Sequence, residues 1–182
     1  MRLIDTKFEN VYLLKLNSKF DKRGDFTRLF CKKTFKESSI LFNIEQSSLT
    51  SNKKKFTLRG LHYQDKPNQE NKILFCIKGK IWDVLVDLRK NSKNFGKWIS
   101  FVLDGKKGNG LFIPKGFAHG YITLTSDAKL IYFMDEFYNP KSSKGLIWSD
   151  KEVNIEWPYY PQVISERDNN LPTLQQIQTI DS

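Results

Sequence analysis

The sequence predicts an all-β domain, either a sandwich or a barrel, and three observations lead to this fold class. The 182 residues include 14 Phe, 7 Tyr and 4 Trp, and aromatic residues favour strands. Eight or more short apolar runs, separated by Gly, Asp and Asn turns, fill residues 10 to 138. No helical pattern alternates with these runs, which argues against a parallel α/β sheet. The length suits one domain over residues 1–182.

The first strand is predicted at residues 11–16 and is followed by a turn built on Asp and Gly. Arg23 lies in this turn between two aromatic residues, Phe20 and Phe26. Two interpretations remain open, because such a segment is either an exposed turn or a site where rings stack on a base and Arg binds phosphate.

A short helix is predicted at residues 34–42, with Thr34 as its N-cap and Glu37 as the capping-box partner. A strand is predicted at residues 46–51. The run 52–55, Asn-Lys-Lys-Lys, is interpreted as a solvated turn rather than a nucleic-acid patch. The net charge of +10 suits any anionic partner and does not by itself choose one.

The stretch from Leu58 to Gln64 holds a cation, a base and a phenol within seven residues. Its alternation is that of a strand, which places Arg59 and His62 on opposite faces unless Gly60 introduces a bulge. From the residues alone, His62 is either a structural half-buried histidine or a functional base.

Two strands at residues 72–77 and 81–88 are predicted to form a hairpin across Gly79. Asp83 lies inside the second of these apolar runs, so it needs a partner or a shifted pKa. Further strands follow, one of them carrying the second histidine, His119, and a polar tail from about residue 175 is expected to fray. The other predicted strands cover residues 98–103, 110–113 and 130–134, and the segment 113–121 is predicted to be a turn that feeds the strand carrying His119.

Composition narrows the cellular context. Cys31 and Cys76 lie far apart, which indicates neither a disulfide framework nor a thiolate metal site. The sequence shows no apolar run of membrane-spanning length and no signal-peptide pattern. We therefore expect a cytoplasmic protein with no membrane and no nucleic-acid partner.

Five segments in one order along the chain resemble the dTDP-4-dehydrorhamnose 3,5-epimerase family. They are RGLHYQ at 59–64, VDLRK at 86–90, FGKW at 95–98, IPKGFAHGY at 113–121 and SERDNNLP at 165–172. The resemblance runs from about residue 20 to residue 174. It implies a jelly-roll barrel of the cupin class with short peripheral helices, a homodimer, and a nucleotide-diphosphate 4-keto-hexose as the substrate. It also implies an isomerase that needs no metal and no redox cofactor.

The resemblance assigns roles residue by residue. His62 corresponds to the general base, Tyr132 to the general acid, Asp168 to the carboxylate that pairs with the base, and Lys72 to the lysine near the sugar carbonyl. The remaining positions correspond to substrate contacts at the sugar, the phosphates and the nucleotide. These are Arg23, Phe26, Gln46, Arg59, Asp83, His119, Tyr138 and Arg167.

These residue types suit the chemistry. A ketone at C4 acidifies the protons on C3 and C5, so an imidazole removes one if a cation meets the enolate oxygen. Inversion then needs a second acid on the opposite face, and a phenol suits that role.

Alternatives remain open within and outside this class. The chain departs from the family pattern at Arg28 and Ser143, where acids at the nucleotide end are usual, so the nucleotide is not fixed. A 3-epimerase or a 3,4-ketoisomerase would use the same barrel, and a non-catalytic sugar-nucleotide binding module is a different class. A metal-dependent cupin oxygenase would need an HxH pattern, whereas this chain has His62-Tyr63-Gln64.

Overall fold

A computed structural model describes residues 1–180, in which thirteen strands and three short helices form. The strands are β1 (Arg2–Asp5), β2 (Tyr12–Lys15), β3 (Ser18–Asp21), β4 (Gly24–Thr27), β5 (Gln46–Asn52), β6 (Leu58–Gln64), β7 (Lys72–Lys78), β8 (Lys80–Asp87), β9 (Trp98–Asp104), β10 (Asn109–Ile113), β11 (Phe117–Thr123), β12 (Ala128–Met134) and β13 (Ser143–Gly145). The helices are α1 (Lys32–Glu37), α2 (Glu166–Asn169) and α3 (Leu174–Ile180).

The strands form two antiparallel sheets, which confirms the predicted jelly-roll barrel. The first sheet has the order β1-β2-β10-β7-β12-β5, and the second has the order β13-β6-β11-β8-β9. Strands β3 and β4 make a separate hairpin. No helix within residues 1–180 has the length and apolar character needed to cross a membrane.

The core lies between the two sheets, because alternate residues of each strand point inward. Leu74 and Leu111 from the first sheet pack in one cluster with Leu85 and Tyr121 from the second. Tyr121 is only 2% exposed although it carries a hydroxyl. A buried phenol needs a hydrogen-bond partner, so a polar group must enter the barrel near it.

Strand β6 contains a bulge at Gly60, the arrangement that the sequence left open. His62 lies opposite His119 and Arg59 lies opposite Tyr121, so three steps on β6 match two steps on β11. A Cβ at Gly60 would lie 2.6 Å from the His119 carbonyl oxygen, and its φ of +113° also favours glycine. The extra residue turns Arg59 and His62 to the same, inner face of the sheet.

The predicted hairpin across Gly79 is wrong, although both of its strands exist. Strand β7 pairs with β10 and β12, whereas β8 pairs with β11 and β9 in the facing sheet. Gly79 is the only residue between them, and at φ +76° it turns the chain from one sheet to the other. Both strands have an apolar face that points into the barrel. Because they lie in facing sheets, these two apolar faces are buried against each other's sheet.

Two other local predictions need correction. Helix α1 begins after Cys31, which makes no side-chain cap, so Thr34 is an interior helix residue and not the N-cap. The chain after residue 174 does not fray up to residue 180 but forms α3, because Leu174 and Ile177 are buried in the second core cluster. Residues 181 and 182 of the predicted tail lie outside the described part of the chain.

The predicted solvated turn at residues 52–55 is only partly right. The three lysines are exposed, but Asn52 is 2% exposed and belongs to the end of β5. Its amide donates to the Ala128 carbonyl oxygen over 3.1 Å. This inward-facing amide is a polar group that reaches the buried hydroxyl of Tyr121.

Candidate active site

A cavity of about 280 Å³ opens between the two sheets, and it gathers six of the twelve residues that the resemblance assigned to the site. The five-stranded sheet contributes His62, and the facing six-stranded sheet contributes Lys72 and Tyr132. The full lining is Gln46, Ser48, His62, Tyr63, Gln64, Glu70, Lys72, Tyr132, Met134, Tyr138, Ser143 and Arg167. The base and the acid of the predicted pair thus stand on facing sheets.

His62 is paired with Asp168 from the short helix α2. Its Nε2 lies 2.8 Å from Oδ1 of Asp168, and the other carboxylate oxygen accepts the Gly60 N–H over 2.9 Å. Burial alone would raise the pKa of Asp168, but the hydrogen bonds from His62 and Gly60 outweigh it and lower that pKa. Because a carboxylate only accepts, the proton of neutral His62 resides on Nε2, which leaves Nδ1 as the basic nitrogen.

A second histidine–carboxylate pair lies beside the first. Nε2 of His119 is 2.8 Å from Oδ2 of Asp83, and both side chains are buried. Within residues 1–180, Oδ1 of Asp83 has no hydrogen-bond partner. Burial raises the pKa of Asp83 against the opposing effect of His119. The requirement that this carboxylate have a partner, read from the sequence, is met by His119.

Lys72 lies at the start of β7 with its ammonium inside the cavity. Its Nζ is 2.8 Å from Oε1 of Glu70, and both side chains are largely buried. Oε2 of Glu70 accepts from Nε2 of Gln64 over 3.2 Å, and Oε1 of Gln64 accepts the Asn139 N–H over 2.7 Å. A buried amino group needs this kind of compensation, so these contacts hold the lysine side chain in one place.

Tyr132 packs against His119 of the buried His119–Asp83 pair. Its ring centroid is 6.2 Å from that of His119, in an edge-on arrangement. Burial is the largest cause that holds the pKa of Tyr132 well above its usual value, and the nearby Tyr121 and Asp83 act in the same direction. The phenol therefore keeps its proton at neutral pH and is equipped to donate it.

The open end of the cavity carries the residues that the resemblance placed at the nucleotide. Gln46 and Arg167 line it, and the Tyr138 side chain is 56% exposed at its mouth. One nitrogen of the Arg167 guanidinium donates to Oγ of Ser143 over 3.0 Å. An exposed aromatic ring beside a cation suits a base and a phosphate.

Five predicted substrate contacts do not line this cavity, and two of them, Asp83 and His119, form the buried pair described above. Arg59 is exposed on β6, where its Nε donates to Oδ1 of Asn52 over 2.9 Å. Arg23 and Phe26 lie on the β3–β4 hairpin around a separate depression, with the Arg23 side chain 89% exposed and Phe26 66% exposed. The structure therefore does not bring these two residues to the cavity of their own chain.

Several cavity residues were missed in the sequence. Glu70 falls in a segment predicted to be a polar loop, yet its side chain forms an ion pair with Lys72 in the cavity. Its spacing of two from the lysine is a signal, because residues two apart share a face of an extended chain. Gln64 was named only as the end of the central strand, and nothing in its pattern indicates its four contacts.

The family model of dTDP-4-dehydrorhamnose 3,5-epimerase matches residues 5–176. A relative of that name from Shigella flexneri is 37% identical over 173 residues, covering 93% of this chain and 94% of its own length. One from Salmonella typhimurium is 35% identical and covers 97% of each chain.

Solved structures agree with this match. The Bacillus anthracis dTDP-4-dehydrorhamnose 3,5-epimerase with bound TDP and PPi superposes with a TM-score of 0.91 at 35% identity, covering 95% of this chain and 99% of its own. The Legionella pneumophila epimerase in complex with dTDP-4-keto-L-rhamnose gives 0.92 at 31% identity, covering 98% and 95%. On the fold, the matched length and the relatives together, this chain belongs to the dTDP-4-dehydrorhamnose 3,5-epimerase family.

Proposed function

We propose that this chain is an isomerase that inverts C3 and C5 of a dTDP-linked 4-keto-hexose, in deoxysugar biosynthesis. The observation that carries the proposal is the position of His62 and Tyr132 on facing sheets of one cavity. Inversion needs a base on one face of a carbon and an acid on the other. The relatives named for epimerisation at both carbons support the 3,5 assignment over inversion at C3 alone.

The first step is proton abstraction. Nδ1 of His62 takes the proton from C3 or C5, and the electrons of the broken C–H bond form an enolate on the C4 carbonyl. Lys72 faces the enolate oxygen as a preformed cation, and Asp168 stabilises the imidazolium once it forms. We infer that His119, held by Asp83, contacts the sugar beside His62.

The second step is proton delivery from the opposite face. The Tyr132 hydroxyl donates to the carbanion carbon, which inverts the centre and leaves a phenolate. The nucleotide extends from the sugar toward Tyr138, Gln46 and Arg167 at the mouth.

The two proton transfers need only side chains, so we expect no metal and no redox cofactor to take part. Within residues 1–180 no three His, Cys, Asp or Glu side chains are grouped as metal ligands.

We further propose that the active form is a homodimer whose hairpins complete the sites. Arg23 and Phe26 match phosphate and nucleotide contacts but lie away from their own cavity. Phe20 and Phe26 are 80% and 66% exposed on this hairpin, and large exposed rings favour contact with a partner. A second copy that receives the hairpin would have Arg23 at the mouth of its own cavity.

We place the enzyme in the cytoplasm, which suits the unbridged Cys31 and Cys76.

The test is to incubate the protein with a dTDP-linked 4-keto-6-deoxyglucose in heavy water and to count deuterium at C3 and C5. We expect label and inversion at both carbons. The His62→Ala variant should incorporate none while still binding dTDP, because the residues at the mouth are untouched. Wild-type protein that labels neither carbon, or His62→Ala that exchanges at the wild-type rate, would contradict the proposed function. Label at C3 alone would assign a 3-epimerase.

A further inference from the structure

Behind Tyr132 the polar contacts continue as a chain through the barrel. Tyr121 belongs to the core cluster against which Tyr132 packs. Its hydroxyl donates to Oδ1 of Asn52 over 3.2 Å and lies 3.4 Å from Oγ1 of Thr50, on the strand that pairs with the strand of Tyr132. Tyr121 is 2% exposed and does not line the cavity, whereas Thr50 is partly exposed. The chain thus connects the proposed acid to a residue that meets solvent.

The bulge in β6 creates this chain. It places Arg59 opposite Tyr121, and Nε of Arg59 donates to the same Oδ1 of Asn52 over 2.9 Å. The amide is fixed from its other end by the Ala128 carbonyl oxygen. Because Oδ1 of Asn52 keeps a hydrogen bond from Arg59, it stays satisfied when the Tyr121 hydroxyl turns away.

The proposed reaction requires a proton donor to Tyr132, and the Tyr121 hydroxyl suits that role. After Tyr132 has protonated carbon, its phenolate lies in surroundings where burial raises the pKa and disfavours the anion. The charged groups near it are Arg59, which favours the anion, and Asp83, which opposes it, while the His119 ring packs against both phenols. A donor directed at the phenolate oxygen is therefore needed before the next inversion.

We propose that Tyr121 is a positioning residue that holds Tyr132 and returns its proton, with Thr50 as the link to solvent. The Tyr121 hydroxyl rotates from Asn52 to the phenolate oxygen and gives up its proton. In the same concerted shift, Tyr121 takes a proton from the Thr50 hydroxyl, and Thr50 takes one from water. The hydroxide that remains is neutralised in solvent by the proton that His62 releases, so both groups return to their starting states. The inference rests on the acid role proposed for Tyr132.

The test is Tyr121→Phe, which keeps the ring and deletes one hydroxyl. We measure, in heavy water, the rate of deuterium exchange without inversion and the rate of inversion. We expect the ratio of exchange to inversion to rise about tenfold, the effect of one hydrogen bond, because His62 still removes protons while Tyr132 reloads slowly. The KM should stay within about twofold, since Tyr121 lies outside the cavity lining. General damage to the core would lower both rates together and leave the ratio unchanged.

Three further variants make the result decisive. Thr50→Val breaks the next link and should raise the same ratio by a smaller factor. Tyr160→Phe removes the hydroxyl of a tyrosine that is 80% exposed and should change nothing. Tyr132→Phe reports on the acid itself. If Tyr132→Phe loses inversion while Tyr121→Phe keeps the wild-type ratio, the relay is wrong and the acid stands. If Tyr132→Phe inverts normally, the acid role fails.

Discussion

Nε2 of His62 lies 2.8 Å from Oδ1 of Asp168, although 106 positions of the chain separate the two residues. The same carboxylate accepts the Gly60 N–H through its other oxygen. One side chain on helix α2 therefore contacts the bulge of β6 and fixes the tautomer of neutral His62. Ser165 holds the helix start in turn, because its hydroxyl accepts the Asp168 N–H over 3.1 Å.

We predict that Asp168→Asn weakens both catalysis and folding. An amide has one acceptor oxygen, so it cannot serve His62 and Gly60 together, and we expect about 1 to 3 kcal/mol less unfolding free energy at pH 7. The folded pKa of Asp168 is lowered. Its contribution is therefore complete above the unfolded carboxyl pKa of about 4 and is lost as the pH falls through the folded value.

Urea unfolding of the wild type and Asp168→Asn at several pH values measures this effect. The difference between the two proteins should be largest near neutral pH and shrink below about pH 4, where the wild-type carboxylate takes up its proton. Glu166→Gln on the same helix is the matched control, since it leaves the His62 contact in place. A difference that stays constant down to pH 2 would contradict the linkage.

Local pattern predicted most strands but not their partners. The runs at 72–77 and 81–88 are strands, yet their assignment to opposite sheets depends on hydrogen bonds to β10 and β11, far along the chain. No property of Gly79 alone distinguishes a hairpin from a crossing between sheets. The sequence left open whether β6 is regular or bulged at Gly60. The observation that decides this is the close approach of the His119 carbonyl to Gly60, which local sequence does not show.

The site was predicted to a similar depth. The pairing of His62 with Asp168 came only from the resemblance, because no local pattern relates residues so far apart. The need of Asp83 for a partner followed from its apolar strand, but the partner, His119, did not. Tyr121 appeared in the sequence analysis only as the last residue of the segment 113–121. Its polar contacts depend on Asn52 at the end of β5, which was interpreted as part of a solvated turn.

We predict that Lys72→Met lowers the rate of deuterium exchange at C3 and C5 by about 10²- to 10³-fold, the usual effect of removing one donor to a developing oxyanion. In the proposed mechanism the ammonium faces the C4 oxygen, so the loss should appear in kcat more than in dTDP affinity. Lys80→Met is the matched control, because Lys80 forms its ion pair with Asp104 outside the cavity. Equal rates for the two variants would remove Lys72 from the mechanism.

We predict that the protein prefers dTDP to GDP, and that Arg28→Glu leaves the preference unchanged. Arg28 is exposed just after β4 and does not line the cavity that holds His62. This agrees with the interpretation in which Arg28 points into solvent. Calorimetric titration of both diphosphates into both proteins measures the preference. Tighter binding of GDP, reversed by Arg28→Glu, would instead show that the guanidinium recognises the acceptors of guanine.

The last prediction concerns which subunit of the proposed dimer supplies the Arg23 that contacts the substrate. Arg23 is paired with Asp21 over 2.6 Å on an exposed hairpin, away from His62 of its own chain. If each hairpin serves the other subunit, Arg23→Ala and His62→Ala homodimers each have two defective sites. A mixed dimer has one site with both defects and one site with none. Equal mixing should therefore restore about a quarter of wild-type activity, by subunit symmetry and random pairing.

The experiment co-expresses the two variants with different affinity tags and isolates the mixed dimer through both tags. In that preparation every molecule has one intact site, so activity should reach about half of the wild-type value per dimer. Restored activity would follow only if Arg23 acts across the interface, because an arginine acting on its own cavity leaves both sites of the mixed dimer impaired. The Lys80→Met and His62→Ala mixture is the control for tag and expression effects, and it should likewise reach half. A mixed Arg23→Ala and His62→Ala dimer as inactive as its parents, beside a half-active control, would overturn the exchange of hairpins.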